Sequence, residues 1–280
     1  MKKIVQLTLV LTLLSAATWQ CKRHDPNAYN DYYDAAGDLA KGSDIEDENW
    51  KYIEGPYIDN DYIERTTQGN CPETYWGGDT LFVHYGNGQG FCLAPSGRYH
   101  LGTVKAYHNG QAGPGLRINI SVKDATGRPD NEPYAAVEFM RSIVTLQDTT
   151  RDSEGYPVTI FNRSGETSVK TGERITVYEQ NLTLKAIRKN DGTYYEYTGE
   201  GSGQSGDLSF DFRISEPLIM TPSCTEIVKG KMDINFRDGV KAVIDFGNGE
   251  CDGRIIIIII GDEEKSVPLH ETKIIYTHQQ

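Results

Sequence analysis

The sequence predicts an all-β protein: an antiparallel β-sandwich or a strongly curved sheet with an internal disulfide-bearing repeat, preceded by a signal peptide and an acidic tether. Three observations carry this. Apolar and polar residues alternate with period two beyond residue 70. A unit bounded by two cysteines occurs twice. No amphipathic helix of ordinary length follows residue 70.

The alternation is clearest in "LRINISVKD", with Leu116, Ile118, Ile120 and Val122 on one face and Arg117, Asn119, Ser121 and Lys123 on the other. "KMDINFRDGVKAVIDF" reads as a hairpin. Met232, Ile234 and Phe236 lead in, Asp238-Gly239 is expected to supply a type I′ turn, and Val240, Ala242, Ile244 and Phe246 return. "KAIRKNDGTYYEYTG" reads as a second hairpin, and "RITVYEQ", "LSFDFRIS" and "YPVTIFN" as further strands.

The repeat-like units lie near 71–107 and 224–262. The first reads "CPETYWGGDTLFVHYGNGQGFC" and the second "CTEIVKGKMDINFRDGVKAVIDFGNGEC". Each ends in a strand begun by Gly-Arg. The matched spacing pairs Cys71 with Cys92 and Cys224 with Cys251. Such loops of about 20 to 30 residues contribute roughly 3 to 4 kcal/mol each in the chain-entropy model. That leaves Cys21 as the odd one of five cysteines.

Residues 1–20 read as a signal peptide: Lys2 and Lys3, an apolar run from Ile4 to Leu14, then small residues. Cys21 is then the candidate lipidated residue, against cleavage after Ala17. Residues 21–68 carry many acids and few aliphatics and read as an acidic, partly disordered tether, with "AYNDYYDAAGDLAKG" capable of a short helix. Residues 69–280 form the β-rich domain. The expected location is the outer membrane or cell surface through the lipid anchor, or otherwise the periplasm or the medium. Net charge is -12, the opposite of what phosphate neutralisation needs, so nucleic acid is not an expected partner.

"CPET", "HYGNGQGFC" with "SGRYHLGTV", "YTGEGSGQSGDLSFDF", "EPLIMTPSC" and "IDFGNGECDG" resemble a family of uncharacterised exported lipoproteins of Bacteroidetes. The likeness runs from about Cys71 to Leu269, and its most specific part is the closing "IDFGNGECDG". It implies location and fold, and carries over no catalytic residue. The chain departs from the family at the residues before Cys21, where Trp19 and Gln20 are bulky, and at His84, where the family favours Asp.

Few residues suggest chemistry. "GSGQSG" matches G-x-G-x-x-G but leads into a strand rather than a helix, so a hairpin loop is the simpler reading. Asp245, Asn248 and Asp252 offer oxygens to calcium. Their spacing lacks the usual ladder, and a structural Asn-Gly turn is the simpler reading. His84, His100 and His108 with Asp79 lack zinc-ligand spacing. Tyr75, Trp76 and Tyr195 are the candidate binding aromatics, suited to stacking on sugars, although Tyr is also a good strand former.

The expected role is therefore non-enzymatic binding or structure in the envelope, with a glycan or protein partner. The alternatives are a polysaccharide-acting enzyme using paired carboxylates and a carrier of an apolar ligand. The six isoleucines Ile255–Ile260 read as a strand whose two faces must both be covered; an open second trio would favour self-association.

Overall fold

A computed structural model describes residues 27–58, 71–86, 90–94, 98–109, 113–127, 133–261 and 264–269. The signal peptide and Cys21 lie outside the described residues. One long helix, α1 (Asn30–Ile58), precedes fourteen strands. These are β1 (Glu73–Gly77), β2 (Thr80–Tyr85), β3 (Cys92–Leu93), β4 (Tyr99–Asn109), β5 (Arg117–Gly127), β6 (Pro133–Arg151), β7 (Pro157–Thr171), β8 (Arg174–Lys189), β9 (Gly192–Ser205), β10 (Leu208–Met220), β11 (Ile227–Phe236), β12 (Lys241–Asn248), β13 (Arg254–Ile259) and β14 (Glu264–Pro268).

The strands form one antiparallel sheet in sequence order, with β3 paired only to β4 and no pairing between edges β1 and β14. The expected alternation is present. Leu116, Ile118, Ile120 and Val122 are buried, while Arg117, Asn119, Ser121 and Lys123 are exposed. The same parity holds for Met232, Ile234 and Phe236 and for Ala242, Ile244 and Phe246. The turn between β11 and β12 differs from the expected type I′. Gly239 N donates to Phe236 O, and Phe236 N to Val240 O, across three residues, with Gly239 at φ 97°. That is a type I turn closed by a left-handed glycine, the common three-residue hairpin solution.

The sheet is a single curved layer wrapped around α1, not a two-layer sandwich. Thirteen strands in a path would span about 60 Å if flat, against about 10 to 12 Å for a helix. Yet α1 touches strands along nearly the whole path. Tyr57 packs on Trp76 of β1 and donates to Ala106 O of β4. Trp50 meets Phe161 of β7 edge-on at 5.2 Å. Tyr32 packs on Phe236 of β11, and the Lys265 ammonium of β14 sits 3.9 Å from the Tyr33 ring. Every residue from 35 to 50 is buried.

The acidic segment is therefore a buried helix rather than a solvated tether, which corrects the expectation for residues 30–58. Its polar residues are covered because the sheet's inward positions supply matching groups, described below. Among the described residues no helix is long and apolar enough to cross a membrane.

Both expected disulfides are present, Cys71–Cys92 and Cys224–Cys251, each with Cα atoms 5.8 Å apart. The two units have the same topology: a cysteine, a hairpin, a cysteine, then the next strand. Gly86 and Gly247 both take positive φ at the end of the hairpin. Tyr85 and Phe246 before them both point inward. The third strands are out of phase, however, since Arg98 and His100 are buried where Arg254 and Ile256 are exposed. In β13, Ile255, Ile257 and Ile259 enter the core. On the outer trio Ile258 is half-buried, while Ile256 and Ile260 are 38% and 64% exposed.

Two glycines of α1 test how closely the sheet holds it. A Cβ at Gly37 would stand 3.8 Å from the nearest atoms of Ile257 and Val267, ordinary contact. At Gly42 it would stand 2.5 Å from Val169 Cγ2 and 2.6 Å from the Tyr178 hydroxyl. Gly37→Ala is expected to stabilise the protein by roughly 0.5–1 kcal/mol through helix propensity. Gly42→Ala is expected to destabilise it by about 1–3 kcal/mol through overpacking. Urea denaturation of the two variants measures both; equal stabilisation by each would mean that the sheet does not press on Gly42.

Candidate functional site

Two places concentrate chemistry: the interior between α1 and the sheet, and the outward face of the first strands.

In the interior, α1 presents acids that the strands meet with bases. Arg98, at the entry to β4, pairs with Asp44 at 2.6 Å, Glu48 at 2.9 Å and Glu226 at 3.5 Å. Glu226 also accepts from Gly253 N at 2.7 Å. Arg98 and Glu226 thus join the two repeat units across the curl, with six strands between β4 and β11 in the ladder. His100 faces Asp124 at 2.9 Å and Glu48 at 3.3 Å. Asn49 donates to Asp124 at 3.0 Å and accepts from the Tyr85 hydroxyl at 2.9 Å.

The pattern repeats along the helix. Arg163 pairs with Asp47 at 2.8 Å and lies 3.6 Å from Glu46. Glu46 also accepts from Tyr178 at 2.6 Å and from Gln180. Arg174 reaches Asp38 at 2.6 Å and Asp34 at 2.7 Å, and Thr176 donates to Asp38. Arg188 pairs with Glu54, which also accepts from Tyr195 at 3.3 Å.

Burial acts on each ionisable group first, and its neighbours then decide the outcome. Burial would lower His100, but Asp124 and Glu48 outweigh it and hold the imidazole at about 10. Burial pushes Asp47 up to about 7 despite Arg163. Burial also lowers Lys41 against the pull of Asp38. His100, Glu48 and Asp124 are almost wholly out of water. The interior is a structural charge network whose carboxylates are sealed from any large substrate.

The sequence candidates separate accordingly. Tyr195 is buried and bonded to Glu54, so it is not a surface aromatic. Trp76 turns inward onto Tyr57 and His108. Tyr75 alone of the three faces out, 44% exposed. Asp245 and Asp252 accept from the backbone of Gly247 and Arg254, the bonds of ordinary Asx turns. The one metal-like group among the described residues is Cys224, Glu226 and Cys251, and its two sulfurs are bonded to each other. His84 faces out while His100 and His108 face in, which dissolves the zinc candidate. In "GSGQSG", Gly201 and Gly203 leave room for the rings of Phe212 and Phe210, to which a Cβ would come within 2.4 and 2.7 Å. Those glycines serve packing.

The outward face of β1–β7 holds what the sequence reading missed. The register aligns Tyr75, Phe82, Lys105, Ser121 and Arg141 in one row across five strands. A second row runs Thr80, Tyr107, Asn119, Ile143 and Ser164. The short side chains of Ser121, Asn119 and Ser164 lie between longer ones and open a groove of about 700 Å³. Gly165 also lines it, at a point where a Cβ would lie 2.4 Å from the Arg141 carbonyl oxygen. Beside the groove, the rings of Tyr75, Phe82 and His84 are parallel within 13° at 5.2 to 6.1 Å between centroids. His84 is fixed at both nitrogens, by the Tyr75 hydroxyl at 3.0 Å and Thr103 at 3.1 Å. Tyr107 is 45% exposed.

The His100 cluster makes a signed pH prediction. Its folded pKa lies above the ordinary 6.5, so its contribution is complete below about 6.5 and is lost as pH rises through about 10. The unfolding free energy of wild type minus that of His100→Gln should therefore shrink steadily over that window. A difference that stays constant from pH 6.5 to 10 would show that His100 is not held charged. Arg163→Leu is expected to cost about 3–5 kcal/mol in denaturant titrations, because it leaves Asp47 and Glu46 buried without their cation.

Comparison with family models, with curated proteins and with solved structures finds no match for this chain.

Proposed function

We propose that the protein is an exported, lipid-anchored component of the cell envelope that binds a glycan on the outward face of β1–β7 and has no catalytic role. The leader-like residues 1–20, the odd Cys21 and the two disulfides support export and anchoring. The observation that carries the binding role is the groove of about 700 Å³ flanked by half-exposed Tyr107 and continued by Tyr75. Its size suits a short run of sugar rings, and hydroxyls and amides line it as sugar recognition requires. The concave side, where an apolar ligand would lie, is filled by α1, whose Asp38, Asp44, Glu46, Asp47, Glu48 and Glu54 are sealed inside.

A glycan array read with wild type, Tyr75→Ala and Tyr107→Ala tests the proposal. Retention of at least one glycan by wild type, weakened about tenfold or more in each variant, is the expected result. Trp76→Ala should instead lower stability, since that ring packs on Tyr57. Equal retention by Tyr75→Ala and Tyr107→Ala would place the binding surface elsewhere.

The exposed Ile256 and Ile260 favour a second role, pairing with another copy of the chain through β13. Sedimentation velocity of wild type and Ile260→Lys separates the two: a dimer lost in the variant supports it, and a monomer throughout removes it.

A further inference from the structure

The groove differs in charge from the rest of the molecule. Outward positions of β4–β6 carry Lys105, Arg117, Lys123 and Arg141. Residues 80–85, 99–109 and 117–127, which make up β2, β4 and β5, contain a single acid, Asp124. Asp124 is buried and spent on His100. Lys105 reaches over the Phe82 ring at 5.8 Å, and none of the four cations forms an ion pair among the described residues. Glu166 ends the row beyond Arg141 on β7.

Some other outward lysines are met by acids, while Lys229, Lys241 and Arg213 stand exposed without an ion pair among the described residues. Lys185 meets Glu196 at 2.7 Å, Lys231 meets Glu216 at 3.1 Å and Asp245 at 3.8 Å, and Lys170 meets Glu138 at 3.7 Å. In a chain of net charge -12, the outward positions of β2, β4 and β5 thus hold cations and no acid, the nearest acids across the ladder being Glu166 opposite Arg141 and Glu73 at the end of the row of Lys123. Lys105 and Arg141 stand in one row on either side of Ser121, about 9 to 10 Å apart at the backbone. That spacing is comparable to the distance between alternate charged groups on an extended glycan, while Tyr75 and Tyr107 stand beside the same track.

We propose that the groove binds an anionic glycan, with Lys105 and Arg141 each pairing an acidic group of the sugar chain and the tyrosines packing on its rings. Arg141 can bind a carboxylate or a sulfate with two parallel hydrogen bonds, and Lys105 acts as a point charge. This rests on the reading of that face as a glycan-binding surface, and adds to it the charge of the ligand.

The test is affinity electrophoresis or calorimetry with polygalacturonate, its fully methyl-esterified form and dextran sulfate, on the wild-type chain and on Lys105→Gln/Arg141→Gln. Binding of polygalacturonate or dextran sulfate, weakened at least tenfold by the double substitution and by added salt, is the expected result. The first polymer identifies a carboxylate ligand and the second a sulfate. Both side chains are exposed, so an unchanged unfolding midpoint confirms that the variant is folded. Undiminished binding by the double variant overturns the proposal, as does equal or tighter binding of the methyl ester. Comparable binding of a single-stranded oligonucleotide also overturns it, because the face then reads charge alone. A Tyr75-dependent signal from neutral glycans with none from the anionic polymers overturns the charge assignment and leaves the glycan-binding role standing. No signal from any glycan overturns both.

Discussion

The fold depends on one constraint: a helix loaded with carboxylates is placed where there is no water. Asp38, Asp44, Glu46, Asp47, Glu48 and Glu54 are all nearly fully buried. Removing such groups from water costs several kcal/mol each unless a cation and further donors replace the hydration. The sheet supplies these from inward positions that alternation would otherwise give to aliphatics: Arg98, His100 and Arg163, with Arg174 and Arg188 at the margins. Apolar packing by Tyr33, Leu39, Trp50 and Ile53 adds burial energy, but it does not choose among rotations of the helix. The charge pairs do, because each sets a particular acid of α1 against a particular base of the sheet. Burial of charge is thus a poor source of stability here and a good source of a unique arrangement.

What the sequence disclosed follows from how local each feature is. Strand parity in β5 and β11–β12 was legible because the signal lies within eight residues or so. The disulfide pairs were legible because the repeat copies their spacing. Helix α1 was hidden because its covering charges lie up to 140 residues away, and a polar segment without an apolar stripe reads as solvated. Arg163 within the apolar run "YPVTIFNRS" was the clue that something acidic had to face β7. Tyr195 was misassigned because the inward face of β9 continues as Gly199, Gly201 and Gly203, so no aliphatics mark its parity. The outer groove could not be read at all. Its residues come from five strands and meet only once the register is known.

The two faces of the sheet divide the work. The inner face solves a folding problem with paired charges, and this places the most strongly perturbed ionisable groups where no ligand reaches them. The outer face of β1–β7 has ordinary residues in an uncommon arrangement: parallel rings, a groove floored by short side chains, and four cations that form no ion pair among the described residues. Geometry and local charge, rather than reactivity, are what it offers to a partner.

The position of α1 in the chain also bears on how the molecule assembles. It comes before every strand, yet its contacts extend to Lys265 of β14. The central element is therefore made first and completed last. Its cations arrive in turn with β4, β7 and β8, as Arg98, His100, Arg163, Arg174 and Arg188, and until then α1 remains hydrated and acidic. Its stability accrues from contacts of very large sequence separation, the arrangement that slows folding most. The sheet can zip up hairpin by hairpin from local pairings, but closing around the helix has to be a late and concerted step.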